Sequence, residues 1–198
     1  MNLTCRKKLT AGLINSSADK QESVMNDKIQ FILSRRSCRS FSDKKVSKED
    51  LESILECALN APSGMNRQTW SFVAVTDKAK IQELARAVAK ALGRGNDYDF
   101  YKPDVFIITT NAKDSAFREV DNACAMQNIY LAATALGLGA VWINQLKDCY
   151  DDAEVRKLLK EFGVPDNHGV YGCAAIGYPD TSSSLRKKEI TASAKIIG

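Results

Sequence analysis

Four short apolar runs, SFVAVT (71–76), DVFIITT (104–110), AVWIN (140–144) and VYGCAAIGYP (170–179), alternate with segments whose apolar residues recur at helical spacing. No other feature constrains the fold as much, because each run has strand length and composition while the intervening segments have the wrong period for strands. Residues 78–92 carry Ile81, Leu84, Ala85, Val88 and Leu92 on one helical face. Ser47 is placed to cap a helix in which Leu51, Ile54, Leu55, Ala58 and Leu59 form a core-facing stripe, and Asn26 to cap a first helix bearing Ile29, Ile32 and Leu33. The segment 117–137 is apolar almost all round in its second half, which predicts a central helix buried on most sides. A last helix from about Asp152 stops at Gly163 and Pro165. A mixed domain around a sheet of at least four strands follows, and spacing alone leaves open whether those strands run parallel.

The chain has 198 residues, enough for one well-buried domain, and its 44% apolar and 26% charged content is that of a globular protein. A net charge of +4 suits an anionic ligand but falls short of the basic surface of a dedicated nucleic-acid binder. No stretch has the length and apolarity of a membrane span or signal peptide. Residues 1–24 read as a flexible arm or upstream extension, with the folded domain at 25–198 and a polar, basic tail at its end. The six cysteines form no CxxC pair, which points to reduced, mostly buried thiols in a cytoplasmic protein. The sole histidine, His168 in PDNHGV, reads as a turn residue. With one histidine and no cysteine cluster there is no metal site to build, so the chemistry points to a borrowed cofactor.

Four stretches are candidates to hold it. In RRSCR (35–39), Arg35 and Arg36 fit the end of a helix, where cations complement the dipole, which leaves Ser37 and Arg39 unexplained; the alternative is a phosphate cradle of Arg35, Arg36, Ser37 and Arg39. In APSGMNRQTW (61–70), a plain turn competes with a binding loop whose Asn66 and Gln68 suit a planar, amide-like ring edge, while Trp70 reads as core. LGLGAVWIN (136–144) is not a dinucleotide fingerprint, because its order is helix, glycine turn, strand. Its glycines break the helix, and backbone amides near Ile143 and Asn144 then face a flat ligand. LRKK (185–188) is a solvated tail, or one that folds back to bring Arg186 and Lys188 to the same phosphate.

Together these stretches resemble the FMN-dependent nitroreductase family. Arg35-Arg36-Ser37-x-Arg39-x-Phe41 is similar to that family's N-terminal flavin phosphate motif, and Pro62-Ser63-Gly64-x-Asn66-x-Gln68-x-Trp70 to its Pro-Ser-x-x-Asn-x-Gln-x-Trp loop. The helix running into GLGAVWIN, then IGYP (176–179) and a basic tail, keep the family's order, so the resemblance spans 25 to about 190. It implies an α+β, nitroreductase-like fold: a mainly antiparallel central sheet flanked by helices, in a domain-interlocked homodimer with two FMN sites at the subunit interface. By position, Arg35, Arg36, Ser37 and Arg39 would hold the phosphate and the pyrimidine side of the ring, with Arg186 and Lys188 joining at the phosphate. Pro62, Ser63, Gly64 and Asn66 would reach in from the partner subunit. Gln68 would help place the isoalloxazine, and Trp142, Ile143 and Asn144 would line its other edge.

The function so implied is an FMN-dependent oxidoreductase taking hydride from NADH or NADPH by a ping-pong cycle. The acceptor would be a nitroaromatic, a quinone or a similar small electrophile, and no residue is assigned as catalytic because the flavin carries the hydride. An FMN storage or sensor module would use the same site. A nucleic-acid binder using CRKK, RRSCR and LRKK is disfavoured by the low net charge. Two departures stand out: Gly64 occupies a position where the family often has a small polar residue, and GRGNDYDFYKP (93–103) does not match the family's ring-approaching segment.

Overall fold

The computed structural model describes residues 26–95, 97–180 and 188–198; the expected arm (1–24) and Arg186 lie outside the described residues. Helix α1 (Asp27–Ser34) starts where Asn26 Oδ1 accepts from the Lys28 amide at 2.9 Å, and α2 (Lys48–Leu59) where Ser47 Oγ accepts from the Asp50 amide at 3.0 Å. Strand β1 (Trp70–Val75), α3 (Lys78–Ala91), β2 (Val105–Ala112) and α4 (Arg118–Ala135) follow. The described chain continues through β3 (Gly139–Ile143), α5 (Ala153–Glu161) and β4 (His168–Gly177). β1 starts at Trp70 because that residue pairs with Asn111, and β4 starts at His168, which pairs with Ala112. His168 is therefore a strand residue and not the expected turn residue.

The four strands form one sheet in the order β1-β2-β4-β3, antiparallel at every pairing, which answers the question that spacing left open. Alternation along each strand sorts the side chains between two layers. Phe106, Ile108, Val141, Ile143, Cys173 and Ala175 face α3 and α5, while Val105, Ile107, Ala140, Ala174 and Ile176 face α2 and α4. Burial on both faces explains why β2 and β4 read as continuous apolar runs.

At the β3 edge two glycines stand opposite each other, Gly139 against Gly177. The segment after α1 crosses the sheet there. Ser37 bridges Ala140 in parallel fashion, the Cys38 amide donates to Ala140 O at 3.0 Å, and Phe41 bridges Pro179. A Cβ on Gly139 would lie 2.5 Å from Cys38 Cβ, and one on Gly177 would lie 3.1 Å from the Phe41 ring. The missing side chains let the segment lie against the sheet edge.

Apolar surface is left over. The stripe predicted on α1 exists, but Ile29, Ile32 and Leu33 remain exposed and α1 buries no residue. α4 is buried on one face only, through Met126, Ile129, Tyr130 and Ala133, with Val120 59% exposed on another. This corrects the expectation of burial on most sides: the sheet and α2 supply only one wall. In the tail, Ile190 and Ile196 are 78% and 97% exposed. Of the described cysteines, Cys38, Cys149 and Cys173 are buried while Cys57 and Cys124 are exposed, and none is paired. Burial pushes the Cys149 thiol up to about 11, so it stays protonated and packs as a small hydrophobe.

Gly139→Ala is expected to lower the unfolding free energy by about 1–3 kcal/mol, the range for overpacking a tight contact. A urea titration reads this as a lower midpoint at unchanged slope. An alanine variant as stable as the wild type would show that the contact with Cys38 does not hold the segment.

Candidate functional site

The crossing at Gly139 and Gly177 decides what the RRSCR segment presents. Its alternation buries Cys38 and turns Ser37 and Arg39 outward together. Neither of those two side chains has a partner among the described residues. Arg36 differs: its Nη1 donates to Leu33 O at 2.7 Å and to Arg35 O at 2.8 Å, so the helix-end reading holds for this arginine. The Arg35 guanidinium lies over the Tyr130 ring of α4, 5.7 Å from its centroid. Burial pushes the Tyr130 hydroxyl up, with Arg35 pulling the other way, so the phenol stays neutral beneath the cation.

Beyond Ala140 the outer edge of β3 is open. The carbonyl of Ala140 points outward to Cys38, so alternation directs the backbone groups of Trp142 outward and those of Ile143 inward, opposite Cys173. Ile143 is thus a buried ladder residue, while Asn144 is exposed at the strand's end, its Oδ1 accepting from Trp142 Nε1 at 3.3 Å. A cavity of about 400 Å³ adjoins this edge, bounded by Trp142, Ile143 and Gln145 on one side and Arg94, Tyr98 and Tyr101 on the other.

The second wall comes from 93–103, the stretch the family pattern did not place. Phe100, Tyr101 and Lys102 all have left-handed backbone, with φ of 54°, 68° and 49°. Phe100 is held there by packing, stacked on Phe106 at 4.4 Å and met at its edge by Tyr98 at 5.2 Å, with the Arg94 guanidinium 5.1 Å from the Tyr98 ring centre. The exposed Tyr101 and Lys102 are held by Asp99, whose Oδ1 accepts from the Tyr101 amide at 2.9 Å and whose carbonyl accepts from the Lys102 amide at 3.0 Å. Burial drives the Tyr98 hydroxyl well above its ordinary value, offset only in part by Arg94. The Tyr98 hydroxyl and Gln145 Oε1 are buried without partners among the described residues, a cost of about 1–3 kcal/mol each where none is supplied. Arg94, Tyr98, Tyr101 and Gln145 were not picked out from sequence. The crowded aromatics of NDYDFY were the one available signal.

The loop at 61–70 contains a short 3-10 turn, Gly64–Asn66, and three non-glycine residues in the left-handed region: Met65, Asn66 and Gln68, with φ of 54°, 52° and 48°. Ser63 Oγ accepts from the Gln68 amide at 3.2 Å, and Asn66 Oδ1 accepts from Gln68 Nε2 at 2.7 Å. The loop is seated on the start of α4: the Gly64 amide donates to Asp121 Oδ1 at 2.8 Å, and a Cβ on Gly64 would fall 2.3 Å from the Phe117 ring. That ring accounts for glycine where a small polar residue was expected. Trp70, buried at the loop's end, is core as predicted.

Within one chain the pieces are not all together. Ser37 and Arg39 stand at the Ala140 end of β3, while Asn144 lies at its other end, next to Ile143 and Gln145 of the cavity wall. The Pro62, Ser63, Gly64, Asn66 and Gln68 loop stands at Asp121, whereas Arg35 stands at Tyr130, roughly 13 Å further along the α4 axis. Lys188 is exposed in the tail. His168 is remote, its Nδ1 3.0 Å from Thr110 Oγ1 and its carbonyl accepting from Arg156 Nη2 at 2.9 Å. Among the described residues no group of three or more His, Cys, Asp or Glu side chains is placed to hold a metal.

The sequence profile of the nitroreductase family matches residues 32–178. A relative from Archaeoglobus fulgidus, provisionally named for NADH dehydrogenase and NAD(P)H nitroreductase activity, is 32% identical over 160 residues, covering 78% of this chain and 87% of its own. An NADPH-flavin oxidoreductase of Vibrio harveyi is 32% identical over 176 residues, covering 83% of this chain and 70% of the relative. A crystal structure of a nitroreductase with bound FMN from Bacteroides fragilis superposes with a TM-score of 0.81 at 37% identity, over 87% of this chain and 98% of that one.

Burial first, and then the Arg156 guanidinium, hold His168 below its ordinary value of 6.5, with Asp114 pulling weakly upward. Just below that pH the unfolded chain binds more protons than the folded one. The residue's contribution to stability is therefore full above pH 6.5 and falls as the pH drops toward the folded pKa. The single imidazole gives a single NMR titration, expected to have its midpoint below 6.5; a midpoint at or above 6.5 would contradict the packing described.

Proposed function

The chain belongs to the nitroreductase family, and from that premise we propose that it is an FMN-dependent NAD(P)H oxidoreductase working as a homodimer on small electrophilic acceptors, nitroaromatics or quinones. The observation that carries the reading is the β3 edge. It sets the Ser37 hydroxyl and the Arg39 guanidinium, which have no partner among the described residues, on the outward side of a segment pinned at Ala140, and the open edge of β3 leads from there to Trp142 and a cavity of about 400 Å³. That arrangement fits FMN: charge-assisted donors for a phosphate, backbone groups for a flat ring's edge, and room beyond it.

Bound FMN supplies hydride transfer in two half-reactions, NAD(P)H leaving before the acceptor arrives. The protein's part is to bind, orient and stabilise charge. Arg35, Ser37 and Arg39 hold the phosphate and the pyrimidine side of the ring, with Arg186 and Lys188 of the tail adding charge at the phosphate. Arg36 acts by tying this segment to the end of α1. Arg39 would offset the negative charge of reduced FMN. The Asn144 amide orients the N5 edge, and Trp142 and Ile143 exclude water behind it.

The loop of Pro62, Ser63, Gly64, Asn66 and Gln68 serves the site of the partner subunit. The separation along α4 supports this division, and so does the exposed apolar surface of α1, α4 and the tail, which a second copy would cover. The tail from Lys188 onward then embraces the partner, making the dimer interlocked. A cytoplasmic setting, where NAD(P)H is renewed, agrees with the unpaired cysteines.

The test is the visible spectrum of the purified protein before and after NADH or NADPH under argon. Flavin bands that bleach and return with a nitroaromatic or quinone are expected. Bands that never bleach would make the protein an FMN store or sensor, and a protein that stays colourless with added FMN would sink the reading. Replacing Arg35 and Arg39 together by alanine is expected to raise the Kd for FMN at least about 100-fold, from the loss of two charged hydrogen-bonding groups. Sedimentation should give twice the chain mass of 21.8 kDa.

A further inference from the structure

Asp121, in the first turn of α4, is 3% exposed. One carboxylate oxygen accepts the Gly64 amide at 2.8 Å; the other, Oδ2, is buried with no donor among the described residues. Burying a charge and leaving half of its accepting capacity unused does not favour the fold. What the carboxylate does achieve is local. It grips the loop at its one backbone attachment to α4, while Phe117, a turn earlier, fills the space where a Gly64 side chain would stand. Immediately beyond that grip come the left-handed residues Met65, Asn66 and Gln68, whose conformation persists only if something over-determines it.

We propose that Asp121 is a positioning residue: it fixes the 63–68 loop so that Ser63, Asn66 and Gln68 meet a flavin held by the other subunit. The inference rests on the FMN-dimer reading above. Asp121 touches neither flavin nor substrate. It acts through the Gly64 amide, and its effect appears in trans, at the site whose arginines come from the second chain.

Two substitutions separate this from a role in stability alone. Asp121→Asn keeps a carbonyl oxygen for the Gly64 amide, and Asp121→Leu removes it. The Leu variant is expected to bind FMN at least about tenfold more weakly, the worth of one hydrogen bond to a charged group, and the Asn variant within about threefold of wild type. Should the Leu variant not fold, Asp121→Ala carries the same test.

Co-expression with two affinity tags gives the decisive dimer, one subunit bearing Asp121→Leu and the other Arg35→Ala with Arg39→Ala. In that dimer one site combines intact arginines with an intact loop and the other combines both lesions. One tight FMN per dimer is expected, although neither parental homodimer binds tightly. Wild-type affinity in the Leu and Ala variants would overturn the proposal, and so would a mixed dimer with no tight site. If the wild type itself binds no FMN or is a monomer, it is the functional reading that fails.

Discussion

What the RRSCR segment offers a ligand depends on one close contact, the passage of residues 37–41 over the glycine pair Gly139 and Gly177. Backbone comes within hydrogen-bonding distance of the sheet edge only because no side chain stands between them. Once Cys38 is seated over Gly139, strand alternation does the rest: Ser37 and Arg39 must face out. The next crossing, Phe41 over Gly177, fixes the direction of exit, and Ser42 and Asp180 add backbone bonds to Tyr178 and Ser40. The cradle is thus set by sheet geometry before any arginine contributes its charge.

Helix α4 carries the second constraint. It seats the 61–70 loop at its beginning and Arg35 near its end, so two groups that bind one ligand in the proposed dimer are spaced by a rigid rod within each chain. A rod of this kind cannot bend the loop back onto its own arginines. The leftover apolar surface agrees with that geometry. An eight-residue helix such as α1 is marginal alone, and with Ile29, Ile32 and Leu33 in water it lacks the packing that would hold it.

Sequence reasoning reached what periodicity and capping encode. The helix caps at Asn26, Ser47 and Asp152, the strand runs and the helix stop before Gly163 were all legible, because each depends on residues within a few positions. Of the three arginines, Arg39 was separable because the helix-end reading reaches only Arg35 and Arg36. Those two were not separable from each other: Arg36 bonds to carbonyls at the helix end, whereas Arg35 lies over Tyr130, a residue far away in the chain. Asn66 and Gln68 were read as two independent recognisers of a ring edge, yet they bond to each other, which only the left-handed turns between them allow. Segment 93–103 was unreadable for a related reason. Local rules assign positive φ to glycine, and here Phe100 adopts it packed against Phe106 and Tyr98, and Tyr101 and Lys102 adopt it with their amides bonded to Asp99.

Those two loops are informative about what the site requires. Glycine would supply left-handed backbone with little strain, whereas a non-glycine residue held there costs about 1–3 kcal/mol. Six described non-glycine residues accept that cost, three in the loop at Met65–Gln68 and three in the wall at Phe100–Lys102. If backbone shape were all that mattered at these places, glycine would serve better. The side chains themselves are therefore what these places require: an amide pair in one loop, and in the other Phe100 to pack into the core while Tyr101 and Lys102 face out. The fully buried strands β2 and β4 supply the stability against which such strain is tolerable. The fold keeps its regular backbone in the centre, and among the described residues its left-handed non-glycine exceptions gather in the 61–70 loop and in the wall of the cavity at Trp142.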